Sequence, residues 1–371
     1  MAPETTSGGE TYERELLVHL GRDGVRVELI LARGKPHPAD VPNWTVHRFA
    51  IARGLRWWVA PLVVPPAIAR VHRTTGFDLL RVHSLRYIGP AALLARRRQG
   101  LEVPIVAHHH HLDPSPLNGV IERRVVNAVD RLVVGSAFAR RQLAAELGAR
   151  TDHVAIVPYG VDGRFAPRPG RADLRARHEL DSGPVVLFFG GLKPRKNLFL
   201  LLDVWARVAA AHPDARLLVA GGGSLLAALR ARAESMGVTS SVRFTGYVPE
   251  ADKPAYYNLA DVFLFPSAME GFGLAIVEAM ASGLPIVASD RGSIPELVVD
   301  GEGGFVCDPS SIAPFVDRVR RLLADRALRD KLAAANVERV TREFRWETCA
   351  RRTRAVYEDA VAGWRRDRPR R

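Results

Sequence analysis

Only two cysteines occur in 371 residues, Cys307 and Cys349, far apart and without metal-ligand spacing. A disulfide framework and a cysteine-ligated metal site are therefore not expected, and both thiols are expected to pack in a reduced, cytoplasmic protein. No stretch approaches the roughly 20 apolar residues of a membrane span. The best candidate, residues 57–69, is broken by Pro61, Pro65 and Pro66. No signal-peptide pattern is visible at the start. No arginine run is interleaved with aromatics and no zinc-finger spacing occurs, so nucleic acid is not expected as a partner. A strand is lacking too. A doubly wound domain normally opens with a strand that delivers the chain into a glycine loop. Here Gly8-Gly9 arrives without one, so the first N-terminal strand of that sheet is expected to be missing.

What is present is globular. Hydrophobic residues make up 47% and charged residues 25%, enough apolar material for large cores. The length suits two domains. The formal net charge of +13 points to an anionic membrane surface or a polyanionic ligand. Residues 10–20 read as a helix after the Gly8-Gly9 loop. Strands are expected at 25–31, 44–51, 77–83, 103–107, 131–134 and 154–157, with helices at 87–98, 121–129 and 136–147. The proline- and charge-rich run 164–184 reads as a linker. Alternation restarts with strands at 185–189, 216–220 and 242–245 and helices between them. Strands alternating with helices in both halves predict an α/β protein of two Rossmann-like, doubly wound parallel-sheet domains, with a ligand in the cleft between them.

One stretch organises the second half, residues 265–290, FPSAMEGFGLAIVEAMASGLPIVASD. An apolar strand ends at Pro266 and Ser267. A loop carries Glu270 and Gly271-Phe272-Gly273, and a helix runs from Leu274 to a glycine stop at Gly283. First-turn N–H groups behind two glycines suit a phosphate. A carboxylate beside a diphosphate would repel it, so Glu270 and Glu278 need other partners. Hydroxyls of a ribose and of a sugar are the obvious ones. The plainer alternative is a buried βαβ unit with two solvated glutamates. Earlier, Gly190-Gly191-Leu192-Lys193-Pro194-Arg195-Lys196-Asn197 follows a strand. Its glycines let backbone approach a ligand, and Arg195 with Lys196 can neutralise a diphosphate. A solvated basic turn is the alternative. It is not a Walker loop, since the Gly-Lys-Ser/Thr ending is missing.

Taken in order, GGLKPRKN, FTGYVPE, ADVFLFPS and EGFGLAIVEAMASGLPIVASD resemble the retaining glycosyltransferases of family four, which have the two-domain GT-B fold. Glu270 to Glu278 matches that family's Glu-x7-Glu signature. The first half agrees through GGETYERELLVHL, a late-strand histidine, SAFARRQL and VPYGVDGRF. The resemblance implies transfer of a hexose from a nucleotide diphosphate sugar, UDP- or GDP-linked, to a hydroxyl acceptor, with no other cofactor. The acceptor would be a lipid-linked glycan, a polysaccharide or a small natural product. It implies an acceptor-binding domain over 1–164, a nucleotide-sugar-binding domain over 165–345, and a helix over 346–371 that crosses back to the first domain and ends in a basic tail. Residue by residue, Arg195 and Lys196 clamp the diphosphate. Gly271, Phe272, Gly273 and Leu274 offer backbone amides to the distal phosphate and sugar. Glu270 holds the sugar near its reacting carbon, Glu278 accepts from the ribose, and Tyr247 and Val248 frame the base. Gly191 lies in the donor loop, where many members carry an arginine, so more of the phosphate charge falls to Arg195 and Lys196. His110 corresponds to the histidine that points at the donor sugar, with His109 the near alternative. Gly8 and Gly9 correspond to the turn that lines the acceptor side.

The run His108-His109-His110-His111 is not expected to hold a metal, because consecutive residues on an extended chain alternate faces. His108 and His111 read as ordinary histidines. No Asp-x-Asp pair follows a strand, so metal-independent catalysis is expected. The tail RRDRPRR reads as a basic, disordered end. The alternative is peripheral contact with an anionic membrane at the cytoplasmic face, shared with Trp57, Trp58, Arg70, Arg73 and Arg96–Arg98. Two other functions compete: a degenerate or partner-dependent nucleotide-sugar-binding subunit, and a sugar-nucleotide epimerase on the same fold.

Overall fold

The computed structural model describes residues 8–38, 40–51, 56–110 and 116–367. His111 and the last four residues of the basic tail lie outside them. The elements are α1 (Gly8–Arg22), β1 (Val27–Ala32), β2 (Trp44–Phe49), α2 (Arg56–Thr75), β3 (Leu80–Val82), α3 (Ile88–Gln99), β4 (Ile105–His109), α4 (Pro116–Val126), β5 (Arg131–Val134), α5 (Ala137–Leu147) and β6 (Val154–Ile156). Then come α6 (Ala172–Arg177), β7 (Val185–Phe189), α7 (Leu198–Ala211), β8 (Arg216–Ala220), α8 (Leu226–Ser235), β9 (Val242–Gly246), α9 (Lys253–Tyr257) and β10 (Val262–Phe265). Last are α10 (Leu274–Ala281), β11 (Ile286–Ser289), α11 (Ile294–Leu297), β12 (Gly304–Cys307), α12 (Ile312–Ala324), α13 (Arg326–Glu343) and α14 (Trp346–Asp367). The chain divides into two compact units, Met1–Gly160 with Trp346–Arg371, and Val161–Arg345.

The second unit is a six-stranded parallel sheet in the order β12-β11-β10-β7-β8-β9. All residues of β7, β10 and β11 are buried, which is why these strands read as unbroken apolar runs rather than alternations. Phe188, Phe263 and Phe265 stack in the core. Strand order reverses between β7 and β10, the topological switch point where ligands of open α/β sheets bind. The two loops leaving those strands begin at Gly190 and Pro266. The run 164–184, expected as a linker, belongs to this unit: α6 forms within it, and Leu174 and Leu180 are buried. Those leucines anchor it despite its prolines and charge.

In the first unit all strand pairs are also parallel, in two sheets, β1-β2 and β3-β4-β5-β6. The doubly wound order would set a further strand between β1 and β3. Among the described residues none pairs with either edge. Val82, Ile105, Ala107, Leu132 and Val134 form the core with Val64 and Ile68 of α2, Ala91 and Ala95 of α3, and Leu143 of α5. The helix α2 continues through Pro61, Pro65 and Pro66. Burial of Ala60, Val64 and Ile68 overrides the local cost of those prolines. One expectation is corrected: Gly8 and Gly9 belong to α1 and are helical rather than a loop that precedes it. Burial of Tyr12, Leu16, Leu17 and Leu20 along the helix outweighs the low propensity of glycine. The helix α14 packs on this unit, with Arg354 Nη1 donating to Asp23 O at 3.0 Å. Among the described residues no helix is long and apolar enough to cross a membrane.

Candidate active site

At the switch point of the second unit the two loops are tied together. Pro266 ends β10, a 3-10 turn over Pro194–Lys196 follows β7, and Ala268 N–H donates to Arg195 O at 2.8 Å. This brings cations onto one carboxylate oxygen. Lys196 Nζ donates to Glu270 Oε1 at 2.6 Å, Arg195 Nη1 at 3.1 Å and the Ser267 hydroxyl at 2.7 Å. Lys196 is buried and its ammonium also lies 4.6 Å from the Phe265 ring centroid, a cation–π contact. Arg195 is about half exposed, at 49% of its side chain. Burial pushes the Glu270 carboxyl up, but Lys196 and Arg195, with the hydrogen bonds from Lys196 and Ser267, outweigh it and hold the group below its ordinary value. Burial also pulls Lys196 below the usual lysine value, against the attraction of Glu270. Oε1 of Glu270 is thus saturated, and Oε2 has no hydrogen-bond partner among the described residues.

The loop then reaches α10. Gly273 adopts φ +102 at the helix start, a left-handed conformation that favours glycine. Phe272 is buried, while Gly271 and Leu274 are partly exposed. Glu278, inside α10, is buried and belongs to a separate cluster. Tyr257 OH donates to its Oε2 at 2.7 Å. Lys253 Nζ stands 3.9 Å from its Oε1, too far for a hydrogen bond, and pairs with Glu250 at 2.5 Å. Arg164 also reaches Glu250, at 3.3 Å. Burial raises the Glu278 carboxyl above its ordinary value despite Lys253 and Tyr257. Each carboxylate therefore has one oxygen engaged and the other open, the arrangement that lets a carboxylate accept from a ligand hydroxyl. Gly191 lies exposed in the β7 loop; just after β9, Tyr247 is 52% exposed and Val248 is buried.

In the first unit His110 stands one residue beyond β4. Its Nδ1 is 2.6 Å from Tyr159 OH and its Nε2 is 3.0 Å from Glu13 Oε1. Glu13 is paired on both oxygens by Arg81. Burial pushes the Glu13 carboxyl up, but Arg81 and the His110 hydrogen bond hold it well below its ordinary value. Gly9 packs on the same ring, its missing Cβ lying 3.4 Å from His110 Cδ2, while Gly8 is exposed. His108 is a core histidine, its ring nitrogens 2.9 Å from Tyr12 OH and 2.8 Å from Tyr357 OH. His109 is buried at the end of β4.

Sequence reasoning missed Ser267, Lys253, Tyr257, Glu13 and Arg81. Glu13 had a visible signal: it shares the i, i+3, i+4, i+7 face of Leu16, Leu17 and Leu20, where an acid must be paired when buried. Ser267 sits in a loop and Lys253 opens the five-residue helix α9, too short for spacing to carry much information.

Two Rossmann-like units with parallel sheets are the architecture of the GT-B fold, and what the chain does with it is read from its relatives. Residues 170–339 match the family described as Glycosyl transferases group 1, and residues 6–165 match Glycosyltransferase Family 4. Over 275 residues the chain is 34% identical to a GDP-mannose-dependent alpha-(1-6)-phosphatidylinositol monomannoside mannosyltransferase of Mycobacterium tuberculosis, covering 70% of this chain and 71% of that one. It is 33% identical over 320 residues to a D-inositol 3-phosphate glycosyltransferase of Streptomyces bingchenggensis, covering 80% and 69%. Sucrose-phosphate synthase from Thermosynechococcus elongatus shares the fold, with a TM-score of 0.79 and 22% identity over 98% of this chain and 96% of that one. The chain belongs to the family 4 glycosyltransferases and is an enzyme of that class.

Proposed function

We propose that the protein is a retaining, metal-independent hexosyltransferase that takes its sugar from a nucleoside diphosphate and gives it to a hydroxyl acceptor. The observation that carries this reading is the meeting of Lys196, Arg195 and Ser267 on one oxygen of Glu270 at the switch point. The second unit takes the donor. Its diphosphate lies against Arg195, Lys196 and the start of α10, Oε2 of Glu270 accepts from a sugar hydroxyl, and Glu278 accepts from the ribose. Tyr247 and Val248 frame the base. The bond from the anomeric carbon to the phosphate oxygen breaks, and its electron pair leaves with the diphosphate. Lys196 and Arg195 stabilise that developing charge. The acceptor oxygen bonds to the same face, and its proton passes to the departing phosphate oxygen. Glu270 positions the sugar and is not a covalent nucleophile. The first unit takes the acceptor, near Gly8, Gly9 and His110. Since both His110 nitrogens are already hydrogen-bonded, that residue serves through its fixed position.

GDP-mannose and an inositol-lipid acceptor are the first pair to test, because the Mycobacterium tuberculosis relative's name specifies them. A panel including GDP-mannose and UDP-glucose, scored by rise in Tm, identifies the donor. Turnover with vesicles containing phosphatidylinositol mannoside, followed by proton NMR in excess EDTA, should give an α-linked product at the rate seen without EDTA. A β-linked product, or activity lost in EDTA and restored by Mg²⁺, would refute the corresponding part.

A further inference from the structure

Ser293 turns its hydroxyl away from its own helix. It stands at the amino end of α11, where a serine ordinarily accepts from an N–H two or three residues on, yet its side chain makes no capping bond. Instead Oγ lies 2.8 Å from Phe272 O and 3.1 Å from Glu270 O, and Ser293 N–H donates to Glu270 O at 3.0 Å. The hydroxyl has one proton, so the two carbonyls share it while the amide fixes one of them. Ser293 is fully buried, as are Ser267 and Ser289, and the Ser289 hydroxyl donates to Ser267 O. Beside it, Gly292 has φ +66, and a Cβ there would stand 2.5 Å from Glu270 O and 2.7 Å from Glu270 N. The turn after β11 is thus pressed flat against the backbone that carries Glu270. Three polar contacts and one close approach converge on the Glu270–Phe272 backbone from a turn that itself carries none of the expected site residues, and Ser289 at the end of β11 adds a fourth at Ser267.

We propose that Ser293 is a positioning residue of the transfer site: its hydroxyl and amide clasp the Glu270 and Phe272 carbonyls. The clasp holds the Glu270 carboxylate in register with Lys196 and Ser267, and fixes the entry into α10. It rests on the role given to Glu270 under Proposed function. A side chain that merely filled space would affect stability; a clasp affects the chemical step through Glu270.

The test is a double-substitution cycle with GDP-mannose and phosphatidylinositol mannoside vesicles, on the full chain. Ser293→Ala should lower kcat by about tenfold to a hundredfold, the range for small displacements of a reacting group, with the donor KM within about threefold. In a Glu270→Gln background the same substitution should cost less than about threefold more, because the two residues act as one. Gly292→Ala presses on the same backbone without removing a polar group. It should reproduce the loss and its absorption, and it serves if the serine variant does not fold. Wild-type kcat in Ser293→Ala, or a full loss persisting on top of Glu270→Gln, overturns the clasp. Wild-type kcat in Glu270→Gln itself overturns the underlying reading of Glu270 instead.

Discussion

Replacing Lys196 by methionine removes the principal counter-charge of a buried carboxylate while keeping the length of the side chain. In the wild type Lys196 Nζ is 2.6 Å from Glu270 Oε1, and both residues are under one-tenth exposed. Removing one member of a buried pair costs about 3–5 kcal/mol. Arg195 at 3.1 Å and Ser267 at 2.7 Å remain, so the lower end, about 3 kcal/mol, applies. For a unit of this size that lowers Tm by about 6–12 °C. The pH dependence is the sharper readout. In the wild type the Glu270 carboxyl is depressed, so its stabilisation is present above the unfolded value, about 4.3, and is lost as pH falls through the folded value. In Lys196→Met burial raises that carboxyl, so the penalty is greatest near neutrality and protonation relieves it. The Tm deficit against wild type should therefore shrink as pH falls. Turnover should fall by about 10²–10³ through loss of charge at the leaving phosphate. Calorimetric melting across pH and GDP release from GDP-mannose measure both. A deficit independent of pH, or turnover within about threefold of wild type, would refute the pairing as the source of either effect.

Tyr257→Phe takes away the donor to Glu278 Oε2. Loss of about 1 kcal/mol should raise the donor KM about fivefold with kcat nearly unchanged, in steady-state kinetics. Because burial raises the Glu278 carboxyl, it protonates earlier than an ordinary carboxylate as pH falls. Donor KM should therefore climb on acidification through that raised value, and the climb should vanish in Glu278→Gln. Glu13→Gln breaks the buried pair with Arg81 and should lower Tm by several degrees at pH 7. Since the Glu13 carboxyl is depressed, its stabilisation is present above the unfolded carboxyl value and fades as pH falls through the folded one. The difference between Glu13→Gln and wild type should accordingly close in acid.

The second unit was the more legible half. Its strands β7, β10 and β11 are buried on both faces and read as short apolar runs bounded by glycine and proline, and its loops sit where strand order reverses. Glu270, Arg195 and Lys196 stand out as candidates from the order of the segments that carry them, and the structure brings the three side chains together. That they would converge on one oxygen could not be read from the sequence, because the link between loops is a main-chain bond from Ala268 to Arg195, invisible in residue type. Similarly, Ser267 and Ser293 lie in turns, and nothing in a serine's identity says which carbonyl or carboxylate it will meet. In the first unit α2 was obscured by its three prolines, whose local penalty is outweighed by burial. The run 164–184 has the composition of a linker, though two buried leucines bind it to the second unit.

The central claim is that the Glu270–Lys196–Arg195 cluster is the sugar-transfer site. It is tested most directly by GDP release from GDP-mannose in the presence of phosphatidylinositol mannoside vesicles and EDTA, comparing wild type with Glu270→Gln at matched Tm. Wild type should release GDP steadily and the variant should lose at least about a hundredfold; equal rates from the two proteins would contradict the assignment of Glu270.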